Sequence, residues 1–130
     1  MVNEEFGVPG IASDHYLLYG KHAVLSALAN PERQVRRLLL TNGCQASLLT
    51  KIEQAIGLGG HTNIKILRLD KRKIEKLLPP NVVHQGIALE AKPLQKILLE
   101  DIINQTSGNP QATIVILDQA TDTNNIGAVL

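Results

Sequence analysis

The stretch Val35-Arg36-Arg37-Leu38-Leu39-Leu40-Thr41 decides how the chain folds. Its unbroken leucine run is the pattern of a strand covered on both faces rather than one with a wet side. Such a strand needs helices to cover it, and the flanking sequence supplies them. Upstream, Lys21 to Ala29 repeats Val24, Ala27 and Leu28 at helical spacing, and Asn30-Pro31 ends the segment. Downstream, Ala46 to Ile56 places Leu48, Ile52, Ala55 and Ile56 on one helical face, with Gly57 as the expected stop.

Further outward the alternation continues. Tyr16 to Tyr19 is strand-like and stops at Gly20, Ile64 to Leu69 is the next strand, and Gly86 to Ala91 another. Between the last two, Asp70 caps a helix whose apolar face is Ile74, Leu77 and Leu78, and Pro79-Pro80 forbids its continuation. Strands recurring between helices predict an α/β domain over residues 16–92, a small three-layer α/β/α unit with a largely parallel sheet. Residues 1–15, with Glu4, Glu5, Gly7, Pro9 and Gly10, read as a flexible tail. Residues 93–111 read as a linker that includes a helical stretch, Leu94 to Asn104, and the turn-rich Gln105 to Pro110. Thr113 to Asp118 is a further strand, and residues 112–130 read as the incomplete start of a second domain.

Composition narrows the classes. The 130 residues are 44% apolar and 19% charged, which excludes wholesale disorder and a collagen-like chain. No apolar run is long enough to span a bilayer, and the first fifteen residues lack the apolar core of a signal peptide, so the expectation is a cytoplasmic protein with no membrane role. The net charge of +1 neither demands nor excludes RNA, because a local basic patch can exist on a neutral chain. Cys44 is the single cysteine and the four histidines lack ligand spacing, so no metal is expected. With only Phe6, Tyr16 and Tyr19 as aromatics, an RNA-binding surface here relies on charge and shape rather than on stacked rings.

The stretch richest in potential chemistry is Leu117-Asp118-Gln119-Ala120-Thr121-Asp122-Thr123-Asn124-Asn125-Ile126-Gly127-Ala128-Val129-Leu130. It reads as a strand end opening into a polar loop and then a helix. Ligand sites of α/β domains gather at such places, and Asp- and Asn-rich turns also form there simply to cap the helix. The segment resembles the first motif of the SpoU/TrmH family of RNA ribose 2′-O-methyltransferases, in the SPOUT superfamily. Leu117, Asp118, Asp122, Asn125, Ile126, Gly127 and Ala128 match, and Thr123 stands where proline is usual. Two upstream stretches strengthen the likeness: Tyr19 to Val24 resembles the opening of the family's substrate-binding domain, and His84 to Ala88 resembles its close.

The resemblance implies a two-domain enzyme. An N-terminal domain similar to RNA-binding ribosomal proteins presents structured rRNA or tRNA, and a knotted C-terminal domain transfers a methyl group from S-adenosylmethionine to a ribose hydroxyl. A homodimer is implied for the full-length enzyme. Methyl transfer is an in-line displacement that needs alignment and help in deprotonating the hydroxyl. The family attributes that help to an arginine following the first motif, and no arginine follows Asn125 in this sequence. Asn125 is therefore the one catalytic-site residue carried over, no cofactor-binding residue is assigned, and the chain by itself is expected to be inactive. Candidate RNA contacts are Arg33, Arg36 and Arg37, with Lys21 and Lys51, and the turn at His84 and Gln85. The alternative reading is a non-enzymatic RNA-binding module or a remnant of a methyltransferase gene.

Overall fold

The computed structural model describes residues 10–129 and begins with β1 (Tyr16–Tyr19), α1 (Lys21–Ala29), β2 (Val35–Thr41), α2 (Ala46–Gly59), β3 (Lys65–Leu69), α3 (Lys71–Leu77) and β4 (Ile87–Ala91). α2 runs a turn further than its sequence suggests. Gly57 lies inside it, and the left-handed residue that ends it is Gly60, at φ 70°. Gly59 stays in the helix because a side chain there has no room: a Cβ would stand 1.9 Å from the carbonyl oxygen of Leu28. The last turn of α2 thus packs against the backbone of α1.

The four strands form one sheet in the order β1-β4-β2-β3. The expectation of a largely parallel sheet is corrected here, since β2 with β3 is the one parallel pairing; β4 runs against the other three strands and pairs antiparallel with both β1 and β2. The reason lies between β3 and β4. A parallel crossover must carry the chain back to the opposite end of the sheet. α3 has only seven residues before Pro79-Pro80 stops it, and the chain re-enters the sheet at Ile87, which pairs with Leu40 near the end where β2 finishes.

Strand alternation builds two cores, giving the expected three layers. On one face Leu38 and Leu40 of β2 and Ile87, Leu89 and Ala91 of β4 pack with Val24 and Leu28 of α1 and Leu48, Ile52 and Ala55 of α2. On the other, Leu39 and Ala88 meet Ile74 of α3 and Leu78. Two residues further along these strands, on the same face as Leu39 and Ala88, stand Arg37 and Glu90, both buried. Their partners come from the segment before β1: the Ala12 N–H donates to Glu90 Oε1 (2.9 Å), and Arg37 Nη2 donates to the Gly10 carbonyl (3.2 Å). Asp14 adds an ion pair to Lys92 at 2.9 Å. The expected flexible tail is corrected for residues 10–15, which are tied to the sheet; residues 1–9 lie outside the described residues.

The chain divides into two compact units between Gln95 and Lys96. The second contains α4 (Leu99–Thr106) and α5 (Thr123–Val129). α4 begins where the Asp101 carboxylate accepts from the Leu98 N–H at 3.2 Å, so the stretch read as a linker carries a helix that reaches Thr106. The strand expected over Thr113 to Asp118 is not formed. Among the described residues nothing pairs with it, and Ile116 is 80% exposed. A strand's backbone hydrogen bonds come from a neighbour, so an apolar run alone does not make one.

Candidate nucleic-acid interface

β1, β2 and β3 all finish at the end of the sheet where β4 begins, and the two upstream motifs meet there. The Gly20 N–H donates to the Ile87 carbonyl (3.2 Å), and the Lys21 N–H donates to Gln85 Oε1 (2.9 Å). α1 has no side-chain cap of its own at Gly20, so Gln85 reaches across from the β4 turn to satisfy one of its unpaired first-turn donors. The turn is shaped by positive backbone angles, φ 53° at Gln85 and 78° at Gly86. Gly86 is required twice over, because a Cβ would also stand 2.6 Å from Thr41 Oγ1. Its carbonyl accepts from the Thr41 N–H at 2.9 Å, and its N–H donates to His84 Nδ1 at 3.1 Å.

An open cleft of about 660 Å³ lies at this end, lined by Thr41, Asn42, Asp70, Glu75, His84 and Gln85 among others. Asn42 Nδ2 donates to Asp70 Oδ1 at 2.7 Å. The Asp70 side chain thus makes no cap bond to α3, although Asp70 is its N-cap residue. His84 is buried, with Nε2 3.8 Å from Glu75 Oε1, and Lys71 Nζ lies 3.5 Å from that same oxygen. A smaller hollow lined by Lys21, Thr41, Cys44 and Gln85 adjoins it, and another is lined by Lys21, His22 and Lys51. Lys51 therefore groups with Lys21, not with the arginines.

The three arginines lie toward the other end of β2, Arg33 just before the strand and Arg36 and Arg37 in its first half, with Arg37 roughly 13 Å along the strand from Thr41. A register irregularity between Val35 and Arg37 lets consecutive arginines face one carboxylate. Arg36 Nη1 meets Glu90 Oε1 at 2.8 Å, and Arg37 Nε pairs with Glu90 Oε2. Arg33 Nη1 donates to the Tyr16 hydroxyl (2.9 Å) and the Lys92 carbonyl (3.3 Å). Of the arginines expected to converge on phosphate, Arg37 is 3% exposed and bonded in the interior, Arg33 is half-buried in a structural bond, and Arg36 keeps an exposed flank. Asn125 lies exposed in the first turn of α5, in the other unit.

The structure brings Lys21, His84 and Gln85, named from the sequence as candidate RNA contacts, to one end of the sheet, beside Asn42 and Asp70, which the sequence reading did not name as site residues. The signal existed. Thr41-Asn42-Gly43 closes a buried strand with a polar turn, as Asp118 to Asn125 was read to do, and strand ends of α/β sheets are where ligands collect.

The family described as RNA 2′-O ribose methyltransferase substrate binding matches residues 17–97. Among individual relatives, a 23S rRNA (guanosine-2′-O-)-methyltransferase RlmB of Pseudomonas putida is 28% identical over 116 residues, covering 87% of this chain and 44% of that protein. The human mitochondrial rRNA methyltransferase 1 is 33% identical over 115 residues, covering 88% and 32%. An uncharacterized tRNA/rRNA methyltransferase of Synechocystis is 32% identical over 117 residues, covering 88% and 29%. The chain spans less than half the length of each of these relatives. The match covers β1 through β4 and the cleft between them, and the chain belongs to the SpoU family of RNA 2′-O-ribose methyltransferases, carrying its substrate-binding domain.

Proposed function

We propose that the chain is the RNA-presenting part of an rRNA or tRNA ribose 2′-O-methyltransferase, and that it holds structured RNA at the sheet end bearing Lys21, Thr41 to Gly43 and His84 to Gly86. The observation that carries this reading is the convergence of the two family motifs, through the Lys21–Gln85 bond, on an open cleft with Lys21, Lys51 and Lys71 around it. The whole protein on this reading is a cytoplasmic homodimer with S-adenosylmethionine as methyl donor and Asn125 near the reacting ribose. On this reading the chain by itself is inactive, and no residue is assigned to the cofactor.

The test is RNA binding by the full chain across a salt series. Replacing Lys21 and Lys51 together by Ala lowers affinity for a structured rRNA or tRNA fragment and reduces the log–log salt slope by about 0.7–0.9 per lost phosphate contact. Replacing Arg33 and Arg36 by Ala leaves the slope unchanged. The opposite pattern moves the interface to the arginine end.

A further inference from the structure

The turn that returns the chain into β4 is held in a conformation its sequence does not favour. The Ile87 N–H donates to the His84 carbonyl at 3.1 Å, which closes a four-residue turn over Gln85 and Gly86. Both central residues have positive φ, 53° and 78°, the pattern of a type I′ turn. Glycine takes that conformation freely, whereas glutamine lacks the short side chain that lets Asn or Asp adopt it. Something else must hold Gln85 there, and two contacts do. The Gly86 N–H donates to His84 Nδ1 at 3.1 Å, and Gln85 Oε1 accepts from the Lys21 N–H at 2.9 Å. The first contact fixes the state of the ring: a nitrogen that accepts carries no proton, so His84 is neutral with its hydrogen on Nε2. His84 is 6% exposed, so it offers RNA almost no surface of its own.

We infer that His84 is a positioning residue for RNA rather than a contact: its neutral ring holds the turn, the turn holds Gln85 against the first turn of α1, and Lys21 is presented from there. This rests on the RNA-binding reading above. Gln85 is exposed, and with Oε1 spent on α1 its amide N–H groups are the donors left for RNA. A second proton on the His84 ring makes Nδ1 a donor facing the Gly86 donor, and that contact is lost. Two hollows border His84, and the charged groups lining them are Asp70, Lys71 and Glu75, from α3 and its cap; β2 supplies Thr41, followed by Asn42, and neither titrates. Nε2 lies 3.8 Å from Glu75 Oε1, so a charged ring is drawn toward α3. Uptake of that proton therefore weakens the RNA-holding end, although added positive charge in general strengthens binding to a polyanion. His22, which borders the hollow with Lys21 and Lys51, follows that general rule and acts with the opposite sign.

The experiment measures binding of the full chain to a structured rRNA or tRNA fragment at constant ionic strength, from about pH 8 down to about pH 5.5, the range in which histidines charge. Glu90, held below the ordinary carboxylate value, stays ionised throughout. Affinity falls on acidification by about fivefold or more, the scale of one lost hydrogen bond. His84→Asn has a side-chain oxygen that accepts from the N–H two residues on and takes up no proton in this range. It keeps the unmodified chain's affinity at the alkaline end and abolishes the fall. His84→Leu, with no acceptor, binds weakly across the whole range. Affinity of the unmodified chain that stays level or rises on acidification overturns the inference and leaves the RNA-binding reading standing, and so does an equal fall in His84→Asn. No binding at any pH overturns both. The acid series on the unmodified chain decides the matter even where His84→Leu fails to fold.

Discussion

Glu90 has no exposed surface, yet it gathers the Ala12 N–H and the guanidinium groups of Arg36 and Arg37. Burial by itself raises its carboxyl pKa, but the Ala12 bond and the two arginines outweigh that and hold it below the ordinary 4.5. A carboxylate whose folded pKa is depressed contributes stability that is present above its unfolded value and lost as pH falls through the folded one. Thermal unfolding followed from pH 7 to pH 3 therefore shows stability falling below about pH 4.5, and Glu90→Gln flattens that acid limb. Asp14, lowered to about 2 by Lys92 and His15, shares the sign, but its side chain is 59% exposed and its part is small. Glu90→Ala removes the carboxylate that neutralises buried Arg37 and costs about 3–5 kcal/mol, measured by urea unfolding. None of this was legible in Val35 to Thr41 alone: Arg37 and Glu90 are 53 residues apart, and nothing in either neighbourhood announces the other.

At the scale of elements, the sequence pattern located nearly every helix and strand of the first unit, because each is bounded by Gly, Pro or Asn and carries its own periodicity. The triple leucine is 0–1% exposed, as a doubly covered strand requires. What the pattern does not contain is direction. Whether β4 runs with β2 or against it depends on which end of the sheet the Pro79 to Gly86 connection delivers it to, a property of chain length and stops rather than of hydrophobic period. The end of α2 was misjudged for a related reason: a glycine suits a helix stop, but here Gly59 is selected by the Leu28 carbonyl it touches. Gly59→Ala is expected to cost about 1–3 kcal/mol through that overlap, while Gly57→Ala, with open space around it, does not destabilise; differential scanning calorimetry separates the two. Gln85→Ala, which strips the cap from α1, costs about 0.5–2 kcal/mol by the same measurement.

At the scale of the molecule, the first unit holds both cores and every strand among the described residues. A fragment of residues 10–95 is expected to unfold in a single cooperative transition. A fragment of residues 16–95 keeps both cores but loses the Ala12 and Gly10 partners of Glu90 and Arg37 and the Asp14–Lys92 pair. Its midpoint in urea is lower, with the slope little changed, because few apolar contacts are removed. Equal midpoints for the two fragments show that segment 10–15 does not stabilise the sheet. The second unit reads differently: its apolar run over residues 113–117 was recognised as strand-forming, and a strand is a relation between two segments, so the sequence of one cannot complete it.

The distribution of aromatic residues has an optical consequence. The chain has no tryptophan, and its two tyrosines are both in β1, an edge strand of the sheet, with the Tyr16 hydroxyl accepting from Arg33. Tyrosine emission and the near-ultraviolet dichroism are therefore local gauges of one edge strand, while far-ultraviolet dichroism averages over the whole backbone. If β1 peels away before the rest of the sheet gives, the two signals separate along a denaturant titration; if their curves superpose, the edge and the centre melt together.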